Sequence, residues 1–163
     1  RAGDAKWHAH PYALGAENTT AEINVLSGST FTSFLSPNEF GREHFGSKMN
    51  VERTITVEIK RLDNILEESL AGLTPDPHVF LKMDTQGFDL EVLKGATTEL
   101  HRIRGLQTEL CVQPIYEKMA TGFADALPAL NGYGFQVTGL YPVTRDPRDQ
   151  LSVVEFDCVM CRV

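Results

Sequence analysis

Asp84 and Glu109 are the residues whose types and places best suit chemistry. Asp84 closes the run "VFLKMD" and is followed by "TQGFDLEVLKGA". The run is nearly continuous in apolar and long-stemmed residues, as in a strand covered on both faces within a parallel sheet. In open sheets of that kind, ligands sit beyond the carboxyl ends of the strands. A carboxylate placed there projects into a crevice. Asp also suits a helix N-cap, but Asp89 stands nearer the start of the helical pattern and takes that role more naturally. Gly87 lets the backbone turn tightly after the strand. Gln86 adds a neutral donor and acceptor to the same turn. Glu109 ends the next strand candidate, "LQTEL". If the two strands are neighbours, both carboxylates meet above the sheet. There they could hold a divalent cation or split their proton affinities for acid–base work. The alternative for Glu109 is a solvated carboxylate at a strand end.

Other reactive residues form weaker patterns. His8 and His10 make an H-x-H, half of a metal site with no third ligand visible. His44, His78 and His101 are isolated and read as surface residues. Cys158 and Cys161 form a C-x-x-C inside "EFDCVMCRV". On a strand, positions three apart face opposite ways, so two core thiols are the better reading. Neither G-x-S-x-G nor a P-loop is present.

The elements that must position these residues follow from periodicity. "WHAHPYALG" reads as the end of a short strand that breaks into a loop at Pro11. "TAEINVLSG" is a second short strand. "STFTSFLSPNEFGREHFGSKMN" reads as a long loop with at most one helical turn. "RTITVEIK" alternates, with Ile55, Val57 and Ile59 toward the core of the main sheet. "RLDNILEESLAGL" sets Leu62, Ile65, Leu66 and Leu70 at helical spacing, and "TPDPH" stops it. "DLEVLKGATTELHRI" is an amphipathic helix with Leu90, Leu93, Ala96 and Leu100 on one face. Gly95 weakens that helix unless something packs close to it. "GLQTELCV" is a strand, and "FADALPALNGYG" a helix in which Pro128 either kinks the helix or marks its first turn. "FQVTGLYPV" and "VVEFDCVMCRV" close the chain as a hairpin across "TRDPRDQ". Such alternation predicts an α/β fold with a mostly parallel sheet.

The bulk numbers narrow the class. With 163 residues, 42% apolar and 23% charged, the chain reads as one soluble globular domain over residues 1–163. Its formal net charge of −7 and lack of basic clusters argue against nucleic acid or an anionic membrane as main partner. No run approaches membrane-span length, and no signal-peptide pattern opens the sequence. The expectation is a cytoplasmic protein.

"FLKMDTQGFDLEVLKGA" resembles the core signature of the FkbM-type methyltransferases. Asp84, Gly87, Leu93, Lys94, Gly95 and Ala96 match it, and Gln86 stands where the family often has Glu or Gln. Asp89 departs mildly, since the family usually has Glu there. "HPYALG", "VEIKRLDNIL", "GYGFQV" and "EFDCVMCR" fit the same frame, so the likeness covers nearly the whole chain. The resemblance implies a Rossmann-like class I sheet, S-adenosylmethionine as cofactor and a small-molecule or sugar hydroxyl as acceptor. On that likeness "VFLKMD" is the fourth strand, and Thr85, Gln86 and Gly87 approach the cofactor's methionine part. Tyr12 and Ala13 follow the third strand and lie near the adenine. Asp84 contacts the cofactor or orients the acceptor. A cation held with Glu109 is analogy to metal-dependent catechol methyltransferases only.

The family's Gly-rich cofactor turn and the acid that holds the ribose are not in these residues. The expectation is an N-terminally incomplete domain lacking two strand–helix units, roughly 50–70 residues at ordinary sizes. The apolar edge beside the fourth strand then needs a cover, which a homo-oligomer contact could supply. Two functions follow: an O-methyltransferase, or a non-catalytic interaction module that keeps the fold without a complete cofactor site.

Overall fold

The computed structural model describes residues 7–73, 76–119 and 122–162. Part of "TPDPH" lies outside them. The chain is α/β, with seven strands in two mixed sheets among the described residues. The first sheet contains β1 (Tyr12–Leu14), β2 (Thr19–Leu26) and β3 (Val51–Lys60) in the order β1-β3-β2. β1 runs parallel to β3, and β2 antiparallel to it. The second sheet contains β4 (Val79–Lys82), β5 (Ile103–Cys111), β6 (Phe135–Arg145) and β7 (Val153–Arg162) in the order β4-β5-β7-β6. Only β4 and β5 are parallel there, because β7 returns from the hairpin and inserts antiparallel between β5 and β6. The expected mostly parallel sheet is therefore corrected to two mixed ones.

Several element expectations change with this topology. β3 belongs to the small sheet rather than the main one. Ile59 is buried there and Val57 half-buried, whereas Ile55 is 45% exposed. β4 is also not covered on both faces. Among the described residues it pairs only with β5, and Phe80 is 55% exposed while Val79 and Leu81 pack inward. An apolar run reports average hydrophobicity, not which flank holds a neighbour. Trp7 to His10 precede β1 instead of forming a strand, because β1 starts only after Pro11.

The long loop contains α1 (Glu39–Phe45), flanked by 3₁₀ turns at Ser29–Phe31 and Gly46–Met49. Asn38 caps α1 by accepting from Gly41 N at 2.8 Å. His44 on this helix is buried, not a surface residue. Its Nδ1 lies 2.7 Å from the Phe40 carbonyl, and its Nε2 lies 3.4 Å from Asp146 Oδ2 in the β6–β7 connection. Hydrogen bonds from Arg148 hold the Asp146 carboxyl low, to about 2.

Three further helices pack on the sheets: α2 (Leu62–Ser69), α3 (Asp89–Lys94) and α4 (Phe123–Gly132). α3 stops at Lys94 instead of running to Ile103. Leu93, Ala96 and Leu100 still reach the core, through the turns that follow. Gly95 explains the stop. A Cβ there would overlap the Gly15 carbonyl and touch Arg61 Cα. Gly95 O also accepts from Asp63 N at 2.9 Å. The close packing that this glycine needed thus joins the first sheet, α2 and α3. Pro128 sits within α4 rather than in its first turn.

The main core gathers Leu62 and Leu66 of α2, Leu93 of α3, Leu106 of β5, Leu130 of α4 and Met160 of β7. Cys158 belongs to it, but Cys161 is exposed, so only one of that pair is a core thiol. No helix among the described residues is long and apolar enough to cross a membrane.

Candidate active site

The site forms where β4 hands over to α3. Met83 N still donates to Gln107 O on β5 at 2.8 Å, so the chain stays in register with β5 until Asp84. It then turns through Gln86 and Gly87, both in the left-handed region with φ of 51° and 90°. That region suits Gly and is uncommon for Gln. Neighbouring groups hold the turn in place. Ser33 Oγ donates to Gln86 O at 2.8 Å. Asp89 accepts from Thr85 N at 3.1 Å, from Thr85 Oγ1, from Thr108 Oγ1 at 2.5 Å and from Glu109 N at 3.3 Å.

Asp89 is thus a buried tie between turn and strand, not the expected N-cap; Phe88 occupies the cap position. Its four donors satisfy a carboxylate that would otherwise be costly to bury.

Two clefts flank this turn. The first has a volume of about 470 Å³ and is lined by Asp84, Gln86, Glu109 and Glu155, together with Thr30 and Thr144. Gln86 Nε2 donates to Glu109 Oε2 at 2.8 Å and approaches Asp84 Oδ1 at 3.3 Å. One amide therefore holds both acids. Asp84 also accepts from Lys82 Nζ at 3.0 Å.

These surroundings push the two acids apart. Burial opposes ionisation of Asp84, but hydrogen bonds from Lys82 and Gln86 outweigh it and hold the carboxyl below its usual range. Glu109 goes the other way. Burial, reinforced by the negative fields of Glu155, Asp84, Asp89 and Asp157, pushes it up to about 8. Burial likewise raises Glu155, against hydrogen bonds from Cys111 and Thr144. A carboxyl that exchanges its proton near neutral pH beside one that stays ionised is an acid–base arrangement.

The second cleft, about 140 Å³, lies between β1 and β4. Ala13, Phe34, Met83, Phe88 and Val92 make it mainly apolar, and Thr85 adds an edge. The rings of Phe34 and Phe88 lie 4.9 Å apart.

Residues 4–137 match the methyltransferase FkbM domain. The chain belongs to the FkbM methyltransferase family. No curated protein and no solved structure matches it.

The turn from Asp84 to Gly87 lies within the matched residues. Asp84, Gln86 and Glu109 come together in the first cleft, whereas Ala13 and Thr85 line the second. Gly87 faces neither; it packs against Leu35 and Met119. Tyr12 stacks on His10 and lies under Lys60 Nζ. Tyr12 and Ala13 lie within β1 rather than after a strand, and Glu109 lies inside β5 rather than at its end.

Among the described residues, no cluster of three or more His, Cys, Asp or Glu side chains is placed to hold a metal. Asp84 and Glu109 converge instead on the Gln86 amide.

Sequence reasoning missed Glu155, Tyr116 and the Phe34–Phe88 pair. Glu155 was signalled by an acid inside the otherwise largely apolar strand pattern "SVVEFDCVM", which also holds Asp157. Tyr116, Phe34 and Phe88 carry no periodic signal, because they reach the site from loops.

Proposed function

We propose that this FkbM domain serves an S-adenosylmethionine-dependent O-methyltransferase acting on a hydroxyl of a small molecule or sugar. The observation that carries this reading is the match of residues 4–137 to the methyltransferase FkbM domain, supported by the placing of Asp84 and Glu109 on one Gln86 amide within it. The mainly apolar cleft with Ala13, Phe34 and Phe88 suits a flat aromatic base. That supports the adenine side of the cofactor. The carboxylate and ribose partners known for this family are not among these residues, so the fit is partial.

When bound, the cofactor supplies an electrophilic methyl group on a sulfonium. The chain's own part is to place the acceptor oxygen in line and to receive its proton. Glu109 in its ionised form accepts that proton. Asp84 stays ionised and disfavours charge on Glu109, which keeps Glu109 basic enough to act. Gln86 holds both carboxylates in one geometry.

The test incubates the full-length protein with methyl-labelled S-adenosylmethionine and a panel of polyols, sugars and phenols. Label in a base-stable ether of an acceptor, lost in Glu109→Gln, is the expected result. Cofactor binding and transfer both absent from the full-length protein is what the interaction-module reading requires.

A further inference from the structure

Tyr116 is 2% exposed, and its hydroxyl lies 2.9 Å from two acceptors: Gln86 Oε1 and the Phe31 carbonyl. A phenol has one proton to donate, so it satisfies one of them at a time. Gln86 Nε2 faces the carboxylates, and its Oε1 therefore faces Tyr116.

We propose that Tyr116 is a positioning residue, which acts through Gln86 to set the proton affinity of Glu109. This rests on the reading of Glu109 as the group that takes the acceptor proton. The path is Tyr116 O–H to Gln86 Oε1, then Gln86 Nε2–H to Glu109 Oε2. Hydrogen bonds in such a chain polarise one another. A Tyr116 proton on Oε1 makes the Gln86 N–H a stronger donor, and a stronger donor favours the ionised Glu109.

The competing acceptor connects this path to the first cleft, because Phe31 lines its wall. When the Tyr116 proton turns to Phe31 O, Gln86 loses that support. Anything that displaces the Ser29–Phe31 turn then alters the base.

Charged and titratable groups face Glu109 from every packed element. They are Lys82 on β4, Asp84 in the turn, Asp89 on α3, Cys111 on β5, and Glu155 and Asp157 on β7. They set the coarse level of Glu109. Tyr116 is not a charge among them, so its effect is separable by removing the hydroxyl alone.

The experiment follows the Glu109 side-chain carboxyl by carbon NMR through a pH titration of the full chain. Tyr116→Phe should move the Glu109 midpoint upward by about 0.1–0.6 pH unit, because polarisation through Gln86 changes its bond to Glu109 by roughly 10–30%. In a Gln86→Met background the same substitution should move it by less than about a third of that, since the path runs through Gln86. An unmoved midpoint in Tyr116→Phe overturns the proposal. So does an equal shift in both backgrounds, which would mean that Tyr116 acts directly. If Tyr116→Phe does not fold, Gln86→Met alone replaces it: it removes the amide through which the path runs and should move the midpoint upward, and no movement there overturns the proposal. The pH dependence of methyl transfer is the second readout, and its rising limb should follow the midpoint. A shifted midpoint with no transfer by the wild-type full-length protein would sink the methyltransferase reading and leave the Tyr116 path standing.

Discussion

Gln86 Nε2 donates to Glu109 Oε2 at 2.8 Å, and it does so from a backbone with a φ of 51°. Such a conformation costs a non-glycine residue of order 1 kcal/mol. Glycine would relax the backbone but leave Glu109 and Asp84 without their shared amide. The strained residue and the clamp are the same residue, which ties the local cost to the site rather than to the fold.

Glu109→Gln should change how stability depends on pH. The folded chain holds a proton on Glu109 up to about 8, whereas the unfolded chain releases it in the ordinary carboxylate range. Between those limits the unfolded state binds fewer protons, so wild-type stability falls as pH rises. The Gln variant lacks this slope. Thermal melts should show its advantage growing from pH 5 to pH 8 and flat above that. Parallel wild-type and variant curves would mean that Glu109 ionises normally in the fold.

Asp84→Asn should reduce turnover more than stability. Asp84 and Lys82 are each about half exposed, with side-chain exposures of 47% and 53%, so their ion pair adds little to folding. Removing the charge also lessens the field on Glu109. The rising limb of the rate profile should move to lower pH, and turnover should fall by about tenfold or more. Wild-type rates in the full-length variant would remove Asp84 from the site.

Gly95→Ala should destabilise the domain by about 3 kcal/mol or more. Its φ is −80°, so the backbone itself accepts alanine. The methyl group is the difficulty, because it would overlap the Gly15 carbonyl. Neither that carbonyl nor Arg61 Cα is the movable end of a side chain. Urea unfolding measures the loss, and a change within about 0.5 kcal/mol would show that the Gly15 loop yields freely.

The 163 residues by themselves should bind S-adenosylmethionine weakly. The apolar cleft offers surface for the base, and the turn from Thr85 to Gly87 lies beside it. Each missing hydrogen bond to a charged cofactor group costs about 1.5–3 kcal/mol. Two or three such losses weaken binding by orders of magnitude, at about 1.4 kcal/mol per tenfold. Calorimetry should register no saturable heat at micromolar cofactor. One-to-one micromolar binding would mean that the cleft by β1 supplies contacts beyond the base.

The sequence by itself determined the α/β class, the family and the position of Asp84. Those features are local: alternation marks β2 and β3, helical spacing marks α2, and Asp84 and Gly87 are read one after the other along the chain. It also indicated that Gly95 needed a close neighbour, though not that Gly15 and Arg61 would be the neighbours. Only tertiary structure decided that β7 enters between β5 and β6, bringing Glu155 and Asp157 against Glu109. Hydrophobic periodicity shows which face of a strand is buried; it carries no record of which strand lies alongside. The proton affinity of Glu109 is a sum of burial and the fields of four carboxylates on other elements. The Tyr116–Gln86 contact spans 30 residues and is made from a loop with no repeating pattern. Such contacts exist only after the chain has closed on itself, because the energy of a buried charge depends on every neighbour that excludes water from it.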